Sequence, residues 1–190
     1  MLKDMRHPKG TYVIGCDVGR FGDDETAIIV LERLIANDNI RVVYIETIPQ
    51  SNLTHVIGRL KYLDSQLNTQ KILIDETGLG AGVVDSLKEE LKYKIEGITF
   101  TQKSKAELFY NLKLLMEKGK LKIPLVDNNN PATKKLIYQF MSINKESSSN
   151  GVPKFSHEKK SHDDTICALA LAAWYFKAGG PSKQRTYGLA

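Results

Sequence analysis

Residues 11–48 read TYVIGCDVGRFGDDETAIIVLERLIANDNIRVVYIETI, and three runs within them, at 11–18, 26–34 and 40–48, are rich in β-branched and aromatic residues. The segments between them, GRFGDDE and ANDN, are turn formers. Runs of this length bounded by Gly, Asp and Asn predict three neighbouring antiparallel strands in a meander. From Ser51 the period becomes helical: Leu53, Val56, Ile57, Leu60 and Leu63 share one stripe before a short apolar strand, KILID, at 71–75. The turn ETGLGAG then leads to a helix through Val83, Val84, Leu87 and Leu91, a strand around IEGITF at 95–100, and a helix over 104–118. Ser104 followed by Glu107 predicts a capping box at that helix start. KLKIP at 120–124 reads as a brief strand or extended piece, and Pro131 suits the first turn of a helix over 131–142. The polar stretch 144–161, with SSSNG inside it, reads as a flexible hairpin or loop. An Ala-rich helix over 162–177 closes a domain spanning 1–178, and 179–190 is expected to be a loose tail.

A meander followed by two strands reached through helices describes a five-stranded mixed sheet, strands 1–3 antiparallel and strands 4 and 5 parallel to the first, flanked by helices. This is the α/β pattern of the ribonuclease H-like fold, in which the first and fourth strands lie side by side. Asp17 ends the first strand, Asp75 ends the fourth, and His162, Asp163 and Asp164 open the last helix. Strand alternation puts Asp17 on the face of Val13 and Gly15, and Asp75 on the face of Leu73. Gly15 leaves room for an approaching helix, and the last helix offers small residues at Cys167, Ala168, Ala170, Ala172 and Ala173. If the acids meet, they form a carboxylate cage for Mg²⁺ or Mn²⁺, hard cations that prefer oxygen ligands. Phosphodiester hydrolysis is the chemistry that two such ions serve best. Each acid also has a local explanation. Asp17 and Asp75 suit strand ends and turns, Ser161 with Asp164 fits a capping box, and Asp163 complements a helix dipole. Independent turn acids, however, have no reason to fall where this topology brings them to one point. His162 and Asp24 are accessory candidates beside the simpler readings of a surface histidine at a helix start and a solvated turn acid.

With 190 residues, 42% hydrophobic and 26% charged, the chain suits one core. The formal charge of +5 favours a polyanionic partner. Lys103 and Lys105 lie on one predicted helix, while Lys154, Lys159 and Lys160 precede the last; these are the candidate DNA-binding residues, against the alternative of a solvated lysine surface. Phosphate contacts of this kind would be salt-dependent and largely blind to sequence. Two cysteines make no disulfide framework and suit a reducing cytoplasm. The opening MLKDMRHPKG has no apolar run, and no segment approaches the roughly 18 apolar residues of a spanning helix, so no membrane partner is expected. GLGAG after Asp75 reads as a helix-entry turn rather than a phosphate loop.

Four stretches, IGCDVGRFGDDETAIIVLE, LIDETGLGAGVVDSLKE, KAELFYNLKLLMEKGKLKIP and HDDTICALALAAW, occur in an order and spacing that resembles the C-terminal nuclease domain of the large subunit of tailed-phage terminases. The resemblance covers nearly the whole chain. It implies an endonuclease that uses Mg²⁺ or Mn²⁺, two ions in the active complex, to cut concatemeric duplex DNA. Asp17, Asp75 and Asp164 are then the catalytic and metal-binding acids, with Asp163 as a further ligand. The implied partners are double-stranded DNA, the terminase ATPase domain, the small subunit and the portal, and the implied location is the host cytoplasm. Members of the superfamily often carry a further acid one turn beyond the third position, where this chain has Cys167, which draws attention to Asp163 and His162. No GxxxxGK[ST] motif occurs, so an isolated nuclease domain or a truncated product is expected. The competing readings are a resolvase-like nuclease on branched DNA, an ATPase of the sugar-kinase type, which needs two such domains, and a non-catalytic DNA-binding or docking module.

Overall fold

The meander forms as β1 (Gly10–Asp17), β2 (Glu25–Leu34) and β3 (Ile40–Pro49), with β1 antiparallel to β2 and β2 antiparallel to β3. The computed structural model describes residues 7, 9–19, 25–34, 39–49, 52–123, 131–146, 154–157 and 163–177. Beyond the meander come α1 (Leu53–Leu67), β4 (Lys71–Asp75), α2 (Gly80–Leu91), β5 (Ile95–Ile98), α3 (Gln102–Glu117), β6 (Leu121–Lys122), α4 (Pro131–Ser142), β7 (Ile143–Glu146), β8 (Lys154–His157) and α5 (Asp164–Trp174). β4 inserts parallel beside β1, and β5 adds parallel to β4, giving the sheet order β5-β4-β1-β2-β3-β6. This is the ribonuclease H-like α/β arrangement. No helix among the described residues is long and apolar enough to cross a membrane.

The sheet has six strands where five were expected. The sixth, β6, pairs parallel with β3 through Ile40↔Leu121 and Arg41↔Lys122. Two residues are too few for an alternation to show in sequence, so only the tertiary pairing makes them a strand. A second correction concerns the start of α3. Thr101, not Ser104, is its N-cap: the Thr101 side chain accepts from Ser104 N at 3.0 Å, and Ser104 Oγ accepts from Thr101 N at 2.8 Å. The reciprocal pair is a capping box in which Ser104 takes the place usually held by Glu or Gln. The polar stretch after α4 contains an antiparallel hairpin, with Ile143↔His157 and Glu146↔Lys154 among its partners. The C-terminal tail from 178 onward lies outside the described residues.

Strand alternation divides the core in two. On one face Tyr12, Ile14, Cys16, Ile28, Val30, Ile72 and Ile74 pack with α1 and α2. On the other, Val13, Ala27, Ile29, Leu31 and Leu73 pack with α3, α4 and α5. In α5 every residue from Thr165 to Ala173 is buried, so it is a central helix rather than an amphipathic cover. It lies directly on β1. A Cβ built at Gly15 would stand 2.0 Å from the Ala168 carbonyl oxygen and 2.6 Å from the Ala172 amide nitrogen, so the backbones touch where only glycine fits.

Candidate active site

The face that carries α5 also carries the strand-end acids. β1 and β4 run parallel with Gly15↔Leu73 and Cys16↔Ile74 in register, so Asp17 and Asp75 follow as the next residues at the same end of adjacent strands. Both are partly buried. Gly80 at the head of α2 approaches so closely that a Cβ there would sit 1.7 Å from the Asp75 carbonyl oxygen, which sets GLGAG as a helix entry packed under the end of β4. Thr77 N donates to Asp75 Oδ1 at 2.9 Å and fixes that carboxylate.

The close fit of Gly15 against Ala168 and Ala172 sets where the start of α5 falls. Asp163 is the N-cap residue and Asp164 the first helical one. Their charges act on the strand-end acid: burial pushes the Asp17 carboxyl well above the usual carboxylate range, the negative charges of Asp75, Asp164 and Asp163 push it further, and Lys105 opposes them. Asp75 is raised as well, chiefly by burial, with the hydrogen bonds from Thr77 working against the shift. The four aspartates singled out in the sequence therefore come together at one end of the sheet.

Two ammonium groups stand among them. Lys105 Nζ donates to Asp163 Oδ2 at 2.5 Å and lies 5.9 and 5.8 Å from the ring centroids of Phe100 and Phe109. Its pKa is raised despite burial, which works the other way, because Asp163 and Asp17 favour the charged form. Lys135, on α4, bonds Glu25 Oε2 at 2.9 Å and stands 3.7 Å from the buried Asp164 Oδ2. Lys105 is thus part of the acidic centre, whereas Lys103 is exposed on the opposite side of the same helix. Lys154 lies in β8, which packs near α3. Asp24, Lys159, Lys160, Ser161 and His162 lie outside the described residues.

The donor chemistry suits a hard divalent cation: four carboxylates offer oxygens, and two of them have their ionised forms disfavoured by burial, a penalty that a bound cation reverses. As placed, no group of three or more His, Cys, Asp or Glu side chains among the described residues is close enough to hold a metal ion. Burial first and Asp17 second push the buried Cys167 thiol well above the ordinary range. It is a neutral, apolar wall of the centre.

One buried polar residue beside the start of α5 was missed in the sequence. Gln139 of α4 is buried, and its Oε1 accepts from Thr165 N at 3.1 Å, Ile166 N at 3.2 Å and Thr165 Oγ1 at 2.5 Å. The available signal was its spacing: Gln139 falls three residues after Leu136 and seven after Ala132, a polar residue on the buried stripe of its helix.

Known proteins bear on this geometry. The profile of the terminase RNaseH-like domain family matches residues 14–175. The terminase large subunit of Thermus virus P23-45 is 27% identical over 178 residues, 90% of this chain and 33% of that protein. The chain thus spans about a third of the length of the curated relatives it matches. Among solved structures, the large terminase nuclease from thermophilic phage G20c with bound magnesium superposes with a TM-score of 0.69 at 22% identity, covering 89% of this chain and 83% of that one. The large terminase nuclease domain from bacteriophage SPP1 with bound Mn gives a TM-score of 0.57 at 20% identity, covering 85% and 84%.

Proposed function

The chain belongs to the terminase RNaseH-like domain family, and from that premise we propose that it is a divalent-metal-dependent endodeoxyribonuclease that cuts concatemeric duplex DNA during viral genome packaging. The single observation that carries this reading is the gathering of Asp17, Asp75, Asp163 and Asp164 at one sheet end, expressed in the coupling of Asp17 to the other three. Asp17, with Asp75, Asp164 and Asp163 all acting on its carboxyl, would be the central ligand, with Asp75 on one side and Asp164 with Asp163 on the other. Two Mg²⁺ or Mn²⁺ ions bound there supply an activated water nucleophile and stabilisation of the leaving oxygen. The bound metals in the G20c and SPP1 nuclease structures support that choice of cation.

The protein's own groups do the rest. Thr77 and the backbone around it hold Asp75 in its orientation. The burial of α5 against β1 fixes the spacing between Asp17 and the Asp163–Asp164 pair. Exposed Lys103, with Lys154, Lys159 and Lys160 from the later segments, contacts DNA phosphates and so binds without reading sequence. The partners are double-stranded DNA and, in a longer terminase, an ATPase domain, the small subunit and the portal, in the cytoplasm of an infected bacterial cell. That the chain spans 33% of its curated relative is in keeping with such a larger assembly.

Plasmid cleavage in Mn²⁺, Mg²⁺ or chelator tests the reading, comparing the parent with Asp17→Ala, Asp75→Ala and Asp164→Ala and checking each fold by circular dichroism. Cutting is expected with metal, is lost in chelator and in all three variants, and DNA binding is kept. Full activity in any folded variant removes that residue from the mechanism. A four-way junction cut in preference to linear duplex would move the substrate to branched DNA, and binding without cleavage in Mn²⁺ would leave a docking module.

A further inference from the structure

Helices begin with N–H groups that lack an intrahelical acceptor, and the N-cap side chain is the usual supplier. At α5 the N-cap residue is Asp163, a residue type well suited to the task, yet its side chain makes no cap hydrogen bond. Its carboxylate is engaged with Lys105 instead. The acceptor for Thr165 N and Ile166 N comes from another helix, as Gln139 Oε1. Because backbone N–H groups can only donate, the oxygen of the Gln139 amide must be the atom that faces them. The same oxygen also takes the Thr165 hydroxyl.

This arrangement carries an unrecovered cost. Gln139 Nε2 is buried and has no hydrogen-bond partner among the described residues, so a polar amide is desolvated to provide the one oxygen. A leucine would fill the same buried position on the apolar stripe of α4 without that penalty. We infer that Gln139 is a positioning residue: by capping α5 from outside, it releases the Asp163 side chain from the helix end and leaves it facing Lys105 and the metal site beside Asp164. A cap made by Asp163 itself would fold its carboxylate back over the first turn, away from Asp17 and Lys105. The inference rests on the metal-dependent reading of this site and names the residue that makes the site available.

The test pairs Mn²⁺ titration calorimetry with amide hydrogen exchange on the 190-residue chain. In Gln139→Leu the Thr165 and Ile166 amides should exchange faster, and Mn²⁺ affinity should fall about 10–100-fold, the usual effect of losing a residue that orients a ligand. Gln139→Glu keeps an acceptor oxygen at the helix start and should keep both properties close to the parent's, a rescue that general loosening of the core would not give. Should Gln139→Leu fail to fold, Asp163→Ala decides. Exchange at Thr165 and Ile166 stays as in the parent if Gln139 is their acceptor, and acceleration there overturns the inference. Parent-like Mn²⁺ affinity in a folded Gln139→Leu overturns this inference alone, whereas a parent chain that takes up no Mn²⁺ overturns the nuclease reading and this inference with it.

Discussion

Replacing Gly15 with alanine drives a methyl group into the backbone of α5. The new Cβ would stand 2.0 Å from the Ala168 carbonyl oxygen, where ordinary contact begins at 3.4 Å, so the helix must withdraw from β1 by about 1.4 Å (3.4 less 2.0). Neither Ala168 O nor Ala172 N can rotate aside, because both belong to the helix itself. Overpacking of this kind costs about 1–3 kcal/mol, and each kcal/mol lowers the melting temperature of a domain this size by about 2–4 °C. The effect on the site should be larger than the effect on stability. β1 carries Asp17 and α5 carries Asp163 and Asp164, and a metal constellation tolerates displacements of only about 0.5 Å. A shift near 1 Å typically costs about a hundredfold in rate. Gly58, exposed on α1 with nothing within 4 Å of a built Cβ, is the control: Gly58→Ala should raise stability by about 0.5–1 kcal/mol and leave the site untouched. Thermal melting, Mn²⁺ calorimetry and plasmid cleavage on both variants form the assay. A folded Gly15→Ala protein with the parent's melting temperature and Mn²⁺ affinity would refute the claim that this contact sets the site.

The raised carboxyl of Asp17 makes the metal-free protein sensitive to pH in a defined direction. Its folded pKa lies above the unfolded value of about 4, so the native state holds the proton more tightly; stability is fully present below that value and is lost as pH rises through the folded pKa. In chelator the melting temperature should therefore fall with rising pH, and Asp17→Asn should flatten that fall; an identical slope in the two proteins would remove Asp17 as its source. Thr101→Ala should lower stability by about 1 kcal/mol through loss of the α3 cap, while Glu107→Ala should not. Denaturant melts with the reverse ranking would restore the capping box read from Ser104 and Glu107.

Much of the architecture could be read in one dimension because the elements advertise their periods. The 11–48 meander, the stripe from Leu53 to Leu63 and the KILID strand each show a repeat of two or of 3.6. Gly15 was also legible, as a missing side chain opposite a run of small helical residues. The sixth strand was not, since Leu121 and Lys122 gain their conformation only from Ile40 and Arg41 across a sheet edge. The start of α3 misled because Thr101, Ser104 and Glu107 all suit helix starts, and local chemistry alone does not rank them.

By itself, then, the order of residues determined the meander, the acids at strand ends, the small face of the last helix and the family, all of which follow from local periodicity or from strings of residues. Only the tertiary structure decided which cations sit among those acids and which oxygen caps α5. Lys105, Asp163, Lys135, Asp164 and Gln139 come from three separate helices and a helix start, and their pairings depend on distances that no spacing along the chain encodes. Burial has the same origin: the Asp17 carboxyl is perturbed by the helix packed over it and the three acids beside it, not by its neighbours in sequence.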